Sequence, residues 1–126
     1  MKKIFLILFI FSISCSSKID QRIIGIWNVE SNFYRATYKI EESDKKLIGK
    51  VIYYNDDTTV LHETKTDKDI FLHNLKYKNK VFIDAVSGAT KTTENLTIKI
   101  KHNDTLEVTN YINNKPLIEN WSRKQQ

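Results

Sequence analysis

From Ile23 to Arg123 the apolar positions recur at every second residue, with β-branched and aromatic side chains at the alternate places. Period two is the repeat of a β-strand, because successive side chains leave opposite faces of the chain. The pattern predicts a first strand over Ile23–Val29 and a second from about Phe33 to Glu41. In the second, Tyr34, Ala36, Tyr38 and Ile40 share one face and Arg35, Thr37, Lys39 and Glu41 the other. A third strand, Lys46–Tyr54, is apolar on both faces, and Gly49 inside it predicts a bulge or bend. Val60-Leu61 is a short apolar piece, and the charged stretch from Glu63 to Asp69 has no period and reads as a loop. Ile70–Tyr77 and Lys80–Val86 predict a hairpin about Lys78-Asn79, followed by a turn at Ser87-Gly88-Ala89-Thr90. The last three strands alternate most clearly: Leu96, Ile98 and Ile100, then Leu106 and Val108, then Leu117 to Arg123. Pro116 stands where the last of these begins, a place where a missing N–H costs nothing.

About eight short strands joined mostly by tight turns make a long meander, and a meander must dispose of its edges. It does so by closing into a barrel or by folding as a sandwich. The aliphatic inside and charged outside of the final strands favour closure. The predicted fold is all-β, a single antiparallel up-and-down β-barrel of about eight strands over residues 23–124. No ten-residue stretch beyond Cys15 carries a helical apolar stripe.

The first fifteen residues follow another rule. Lys2 and Lys3 lead an apolar run from Ile4 to Phe11, then Ser12-Ile13-Ser14 and Cys15, the one cysteine of the chain. A run of that length engages a membrane but is too short to span it. The arrangement resembles a bacterial lipoprotein signal, which implies a signal peptide over residues 1–14, a lipidated linker over 15–22, and acylation of Cys15. Two or more acyl chains hold a protein stably at a bilayer where one does not. An acylated Cys15 leaves no thiol for disulfides, metal or nucleophilic catalysis, so the domain of about 112 residues depends on its core alone. The expected location is the bacterial cell envelope, on the outer membrane, with the membrane as partner through Cys15.

Charge changes the picture only by exclusion. The chain is formally +5, its lysines interleaved with Asp and Glu, and no basic cluster with aromatics between marks a nucleic-acid surface. A monomer with no nucleic-acid partner is expected.

Two short pieces frame the barrel region. Gly25-Ile26-Trp27 opens it and Trp121-Ser122-Arg123 closes it. An opening G-x-W with an arginine on the last strand resembles the lipocalin-like (calycin) barrels, and Leu47-Ile48-Gly49-Lys50-Val51 resembles a piece of a family of small secreted bacterial lipocalin-like proteins. The resemblance implies that Gly25, Trp27 and Arg123 close one end of the barrel, with the Arg123 guanidinium stacked on Trp27.

Residues with catalytic chemistry do not assemble into a motif. His62-Glu63 begins like a zinc-protease helix, but Thr66 stands where the second histidine is needed. Ser87-Gly88 lacks the flanking glycine and strand-to-helix context of a hydrolase nucleophile. No metal, cofactor or catalytic residue is expected, and the protein is not read as an enzyme. The aromatics Phe33, Tyr34, Tyr38, Tyr53 and Tyr54 on the second and third strands are the candidates that remain. They either fill the core or line a pocket in which tyrosine hydroxyls fix the polar end of an apolar ligand. The expected function is non-catalytic binding of a small apolar or amphipathic ligand, with Tyr34, Tyr38 and Tyr53 as the ligand-binding residues. The alternative is a filled barrel acting as a structural or protein-interaction lipoprotein. An inhibitor of a wall-degrading enzyme is one form of it, since Ser87-Gly88-Ala89 resembles the inhibitory loop of periplasmic lysozyme inhibitors. Internal volume separates the two: Tyr38, Tyr53, Leu96, Ile98 and Leu106 either fill the interior or leave about 300 Å³ or more of apolar space.

Overall fold

The computed structural model describes residues 19–84 and 96–125. The expected signal peptide, Cys15 and the Ser87-Gly88-Ala89-Thr90 turn lie outside these residues. Nine strands form one antiparallel sheet: β1 (Gly25–Glu30), β2 (Arg35–Ser43), β3 (Lys46–Asn55), β4 (Val60–His62), β5 (Ile70–Lys78), β6 (Val81–Asp84), β7 (Thr97–His102), β8 (Thr105–Ile112) and β9 (Lys115–Arg123). Eight of them run around in the order β1-β2-β3-β5-β6-β7-β8-β9, and β9 returns to pair with β1. The ring is a closed antiparallel eight-stranded barrel in which sequence neighbours pair, as the alternation predicts. Strand β4 is extra. It pairs with residues 53–55 of β3, outside the ring.

Tight turns set the register. Asp44-Lys45, Asn79-Lys80 and Asn113-Asn114 each place two successive residues at positive φ, the geometry that suits the twist of two-residue hairpins. The β5–β6 turn is therefore one residue later than the Lys78-Asn79 expected. Ile23 also departs from expectation. It belongs to a 3-10 turn over Gln21–Ile23, capped by the Asp20 carboxylate on the Arg22 N–H, and β1 starts only at Gly25.

Gly49 sits at a register irregularity between β3 and β5, as its place in the strand predicts. A Cβ there would lie 2.8 Å from Leu72 Cδ1, so the glycine lets the two strands approach. A second bulge carries more consequence for function. Thr37 pairs with Tyr53, but Tyr38 pairs with Val51, so Ile52 is an extra residue that exchanges the faces of β3 above it. Tyr54 thereby joins Ala36 on the inner face, while Tyr53 turns outward beside Thr37. Tyr53 is not an interior residue, contrary to its predicted place among the core-filling and ligand-binding side chains.

The interior is packed. Trp27, Trp121, Phe82, Ile23, Ile40, Ile98, Leu106 and Val108 are wholly buried. Tyr38 lies between Phe71 and Trp121, with ring centroids 4.6 and 4.8 Å away. Leu96 and Ile100 are half-buried against this cluster. Each large apolar side chain so buried contributes about 1.5–3 kcal/mol, the driving force for a domain with no cross-link.

Candidate functional site

The two ends of the barrel differ. At the end where the chain enters, Arg123 closes the structure. Its guanidinium carbon lies 4.4 Å from the centre of the Trp27 ring. The Arg123 side chain donates to the carbonyls of Asn103 (3.0 Å), Ile24 (3.1 Å) and Arg22 (2.5 Å), binding β9 to the entering segment and to the β7–β8 turn. Trp27 Nε1 donates to the Ile23 carbonyl at 3.0 Å, which holds Ile23 as a plug. Gly25 has φ +152°, and a Cβ on it would stand 2.5 Å from Arg123 Nη1. Only glycine leaves the guanidinium its room. Gly25, Trp27 and Arg123 are thus brought together, and their work is structural.

The opposite end is the mouth. A cleft of about 730 Å³ opens there, lined by Phe33, Tyr34, Tyr38, Tyr54, Asn110, Asn113, Lys115, Pro116, Leu117 and Glu119. Its lining is mostly apolar and largely aromatic. Tyr34 and Tyr54 stack with centroids 5.4 Å apart, and Phe33 stands 70% exposed at the rim. Tyr38 forms the floor, where the packed core begins. Two further depressions, of about 790 and 640 Å³, run along the rim and outer wall and are lined chiefly by polar side chains such as Glu30, Arg35, Asn55 and Asn120. The larger of them shares Phe33, Tyr34, Leu117 and Glu119 with the mouth cleft, which differs in its mostly apolar lining and its floor at Tyr38.

Glu119 is the residue that reading the sequence missed. It is 8% exposed, one of two buried acidic residues among the described positions. Its Oε1 accepts from the Tyr34 hydroxyl at 2.7 Å and from Trp121 Nε1 at 3.2 Å. The ion pairs among the described residues join Arg22 to Asp20 and both Lys39 and Lys50 to Glu41, so none engages Glu119. A signal was present: Leu117, Glu119, Trp121 and Arg123 alternate, and a carboxylate two residues before an inward tryptophan must itself face inward. The other buried acid, Asp69, serves its own loop by accepting from the Thr64 and Lys65 N–H groups and the Thr64 hydroxyl.

The mouth tyrosines are poor acids. Burial pushes Tyr38 up to about 12, and burial together with its neighbours Tyr38 and Glu119 pushes Tyr34 higher still. Tyr54 is raised by burial and by its hydrogen bond to Asp56. Asp56, which also accepts from the Thr58 hydroxyl and the Thr58 and Thr59 N–H groups, is held down to about 2. The Tyr34 and Tyr54 hydroxyls act as hydrogen-bond donors, to Glu119 and Asp56.

Of the predicted ligand residues, Tyr34 and Tyr38 line the cleft and Tyr53 does not. Tyr53 lies on the outer face, 5.6 Å from the His62 ring, and accepts from Asn55 Nδ2 at 3.0 Å. Among the described residues no three His, Cys, Asp or Glu side chains converge as a metal site would require. The closed, filled eight-stranded barrel with one open aromatic mouth defines the class of protein by architecture. Comparison with family models, curated proteins and solved structures gives no match.

Proposed function

We propose that the protein is a lipid-anchored envelope lipoprotein whose barrel holds a small apolar or amphipathic ligand at its mouth, without catalysis. One observation carries this reading: a mostly apolar cleft of about 730 Å³ remains above the packed core. That volume falls in the range of small-molecule sites, where a few polar groups on an apolar lining fix orientation. Glu119 and Tyr38 supply those groups here, while Tyr34 and Tyr54, whose hydroxyls are engaged by Glu119 and Asp56, supply aromatic faces, so Tyr54 takes the place in the lining first given to Tyr53. The anchor at Cys15 rests on the sequence of the first fifteen residues. The filled lower barrel supports a second reading, a structural or protein-interaction lipoprotein that carries no ligand.

Native mass spectrometry of residues 16–126, exported to the periplasm of the host and purified without detergent, separates the two. A reproducible added mass that leaves on organic extraction is the expected result. Replacing Leu117 with Asp, which puts a charge into the cleft wall, should remove that mass while the circular dichroism of the barrel stays unchanged. A clean apo mass, persisting after incubation with envelope lipids, overturns the ligand reading and leaves the second one.

A further inference from the structure

Among the groups lining the mouth, Glu119 stands out as a buried carboxylate with no ion-pair partner among the described residues. A carboxylate taken out of water needs either a cation or a full set of donors. Glu119 has two neutral donors, and both serve the same oxygen, Oε1. A neutral glutamine would satisfy the Tyr34 hydroxyl and the Trp121 indole equally well through its amide oxygen. The charge is thus not required by the hydrogen bonds that hold it. Lys115 also lines the cleft, but it is exposed at the start of β9, where water screens its ammonium.

The surroundings match the missing partner. Tyr34 and Tyr54 spend their hydroxyls on Glu119 and Asp56 and present their stacked rings to the cleft, with Phe33 at the rim. Aromatic faces beside a carboxylate attract an organic cation, because the ring quadrupole and the negative charge act in the same sense. We infer that the mouth selects amphipathic cations, an ammonium group on an aryl or alkyl body, with the charged head at Glu119 and the body against Phe33, Tyr34 and Tyr54. This rests on the ligand reading above and adds the sign of the ligand's charge.

The test uses three probes of one skeleton: 4-phenylbutylamine, 4-phenylbutanol and 4-phenylbutyrate. Each is titrated calorimetrically into the full chain in lipid nanodiscs, with empty nanodiscs as the blank. The amine should bind about tenfold or more tightly than the alcohol, and the acid most weakly. Glu119→Gln should bring the amine to the alcohol's affinity while moving the alcohol by no more than about twofold. Equal binding of amine and alcohol to the wild-type chain, or a preference that survives Glu119→Gln, overturns the inference and leaves the ligand reading standing. Absence of binding by all three probes removes both. Should Glu119→Gln fail to fold, Tyr54→Leu replaces it: the amine should then lose more affinity than the alcohol, and an equal loss overturns the inference.

Discussion

Single residues decide how the closed end holds and how the mouth responds to pH. Arg123 makes a cation–π contact and three side-chain hydrogen bonds to carbonyls of two other segments. Arg123→Met keeps much of the aliphatic bulk and loses all four contacts. It should cost about 2–4 kcal/mol in urea unfolding. Gly25→Ala should cost about 1–3 kcal/mol, because its Cβ occupies the place of the guanidinium and φ +152° is unfavourable for alanine. Tyr38 is raised from 10.0 to about 12, so the folded barrel favours the neutral phenol. The stability this adds is complete below about pH 10 and disappears as pH rises through about 12. Absorbance at 295 nm should show the mouth tyrosines ionising only as near-ultraviolet circular dichroism reports alkaline unfolding. Ionisation of every tyrosine near pH 10 in a still-folded barrel would contradict this. Asp56 has the opposite sign: held at about 2 against an ordinary 3.8, it supports the fold above that ordinary value and ceases to as pH falls through about 2. At this scale the G-x-W and late arginine were legible only through their resemblance to the ends of lipocalin-like barrels. Glu119 was legible only as an inward position, since which charges stand beside it is a fact about neighbours on other strands.

Strands and turns show where local preference and tertiary demand part. Lys45 and Lys80 sit at φ 68° and 67°, a left-handed conformation that lysine seldom adopts. Lys45→Gly and Lys80→Gly should each stabilise the protein by about 0.5–1 kcal/mol, read as a higher urea midpoint with an unchanged slope. The turn former Asn79 belongs to both Lys78-Asn79 and Asn79-Lys80, so residue type leaves the β5–β6 turn open by one residue, and the pairing of Lys78 with Val81 selects Asn79-Lys80. Strand β4 lies outside the ring, and Val60 and Leu61 are exposed. Leu61→Asn should therefore cost less than about 1 kcal/mol by the same measurement, whereas a comparable change at Leu106, wholly buried, should prevent folding at ordinary temperature. The bulge at Ile52 belongs to this scale too. No residue type announces it, since β3 is apolar on both faces and either register would bury large side chains.

At the scale of the whole molecule, closure is the organising fact. Strand β9 pairs with both β8 and β1, so it joins the two ends of the meander. Truncation after Ile112 removes it, leaving β1 and β8 with open edges and the core exposed along one side. The truncated chain should show no cooperative thermal transition and should aggregate. A chain shortened only by residues 125–126 should unfold within a few degrees of the full-length protein, because the closing seam reaches Lys124, whose N–H donates to the Ile26 carbonyl at 2.8 Å, and that bond is kept. The same closure sets the opening through which the proposed ligand would enter. One end is plugged by Ile23 and stitched by Arg123, so any ligand must pass by way of Phe33 and the mouth.

The Trp27–Arg123 end was implied only by the resemblance to lipocalin-like barrels, whereas the sequence by itself determined the strand content, the meander order and the inward aliphatic stripes of the last three strands. Each follows from a period of two or from a residue type at a fixed place, and both are local properties. Only the tertiary structure decided that Tyr54 and not Tyr53 faces inward, because a one-residue bulge exchanges faces and leaves the pattern apolar either way. It alone also decided that the core is filled up to Tyr38 while the mouth stays open, and that Glu119 is buried with no ion-pair partner among the described residues. Volume and electrostatic pairing depend on side chains from strands far apart in the chain, which no spacing along that chain encodes.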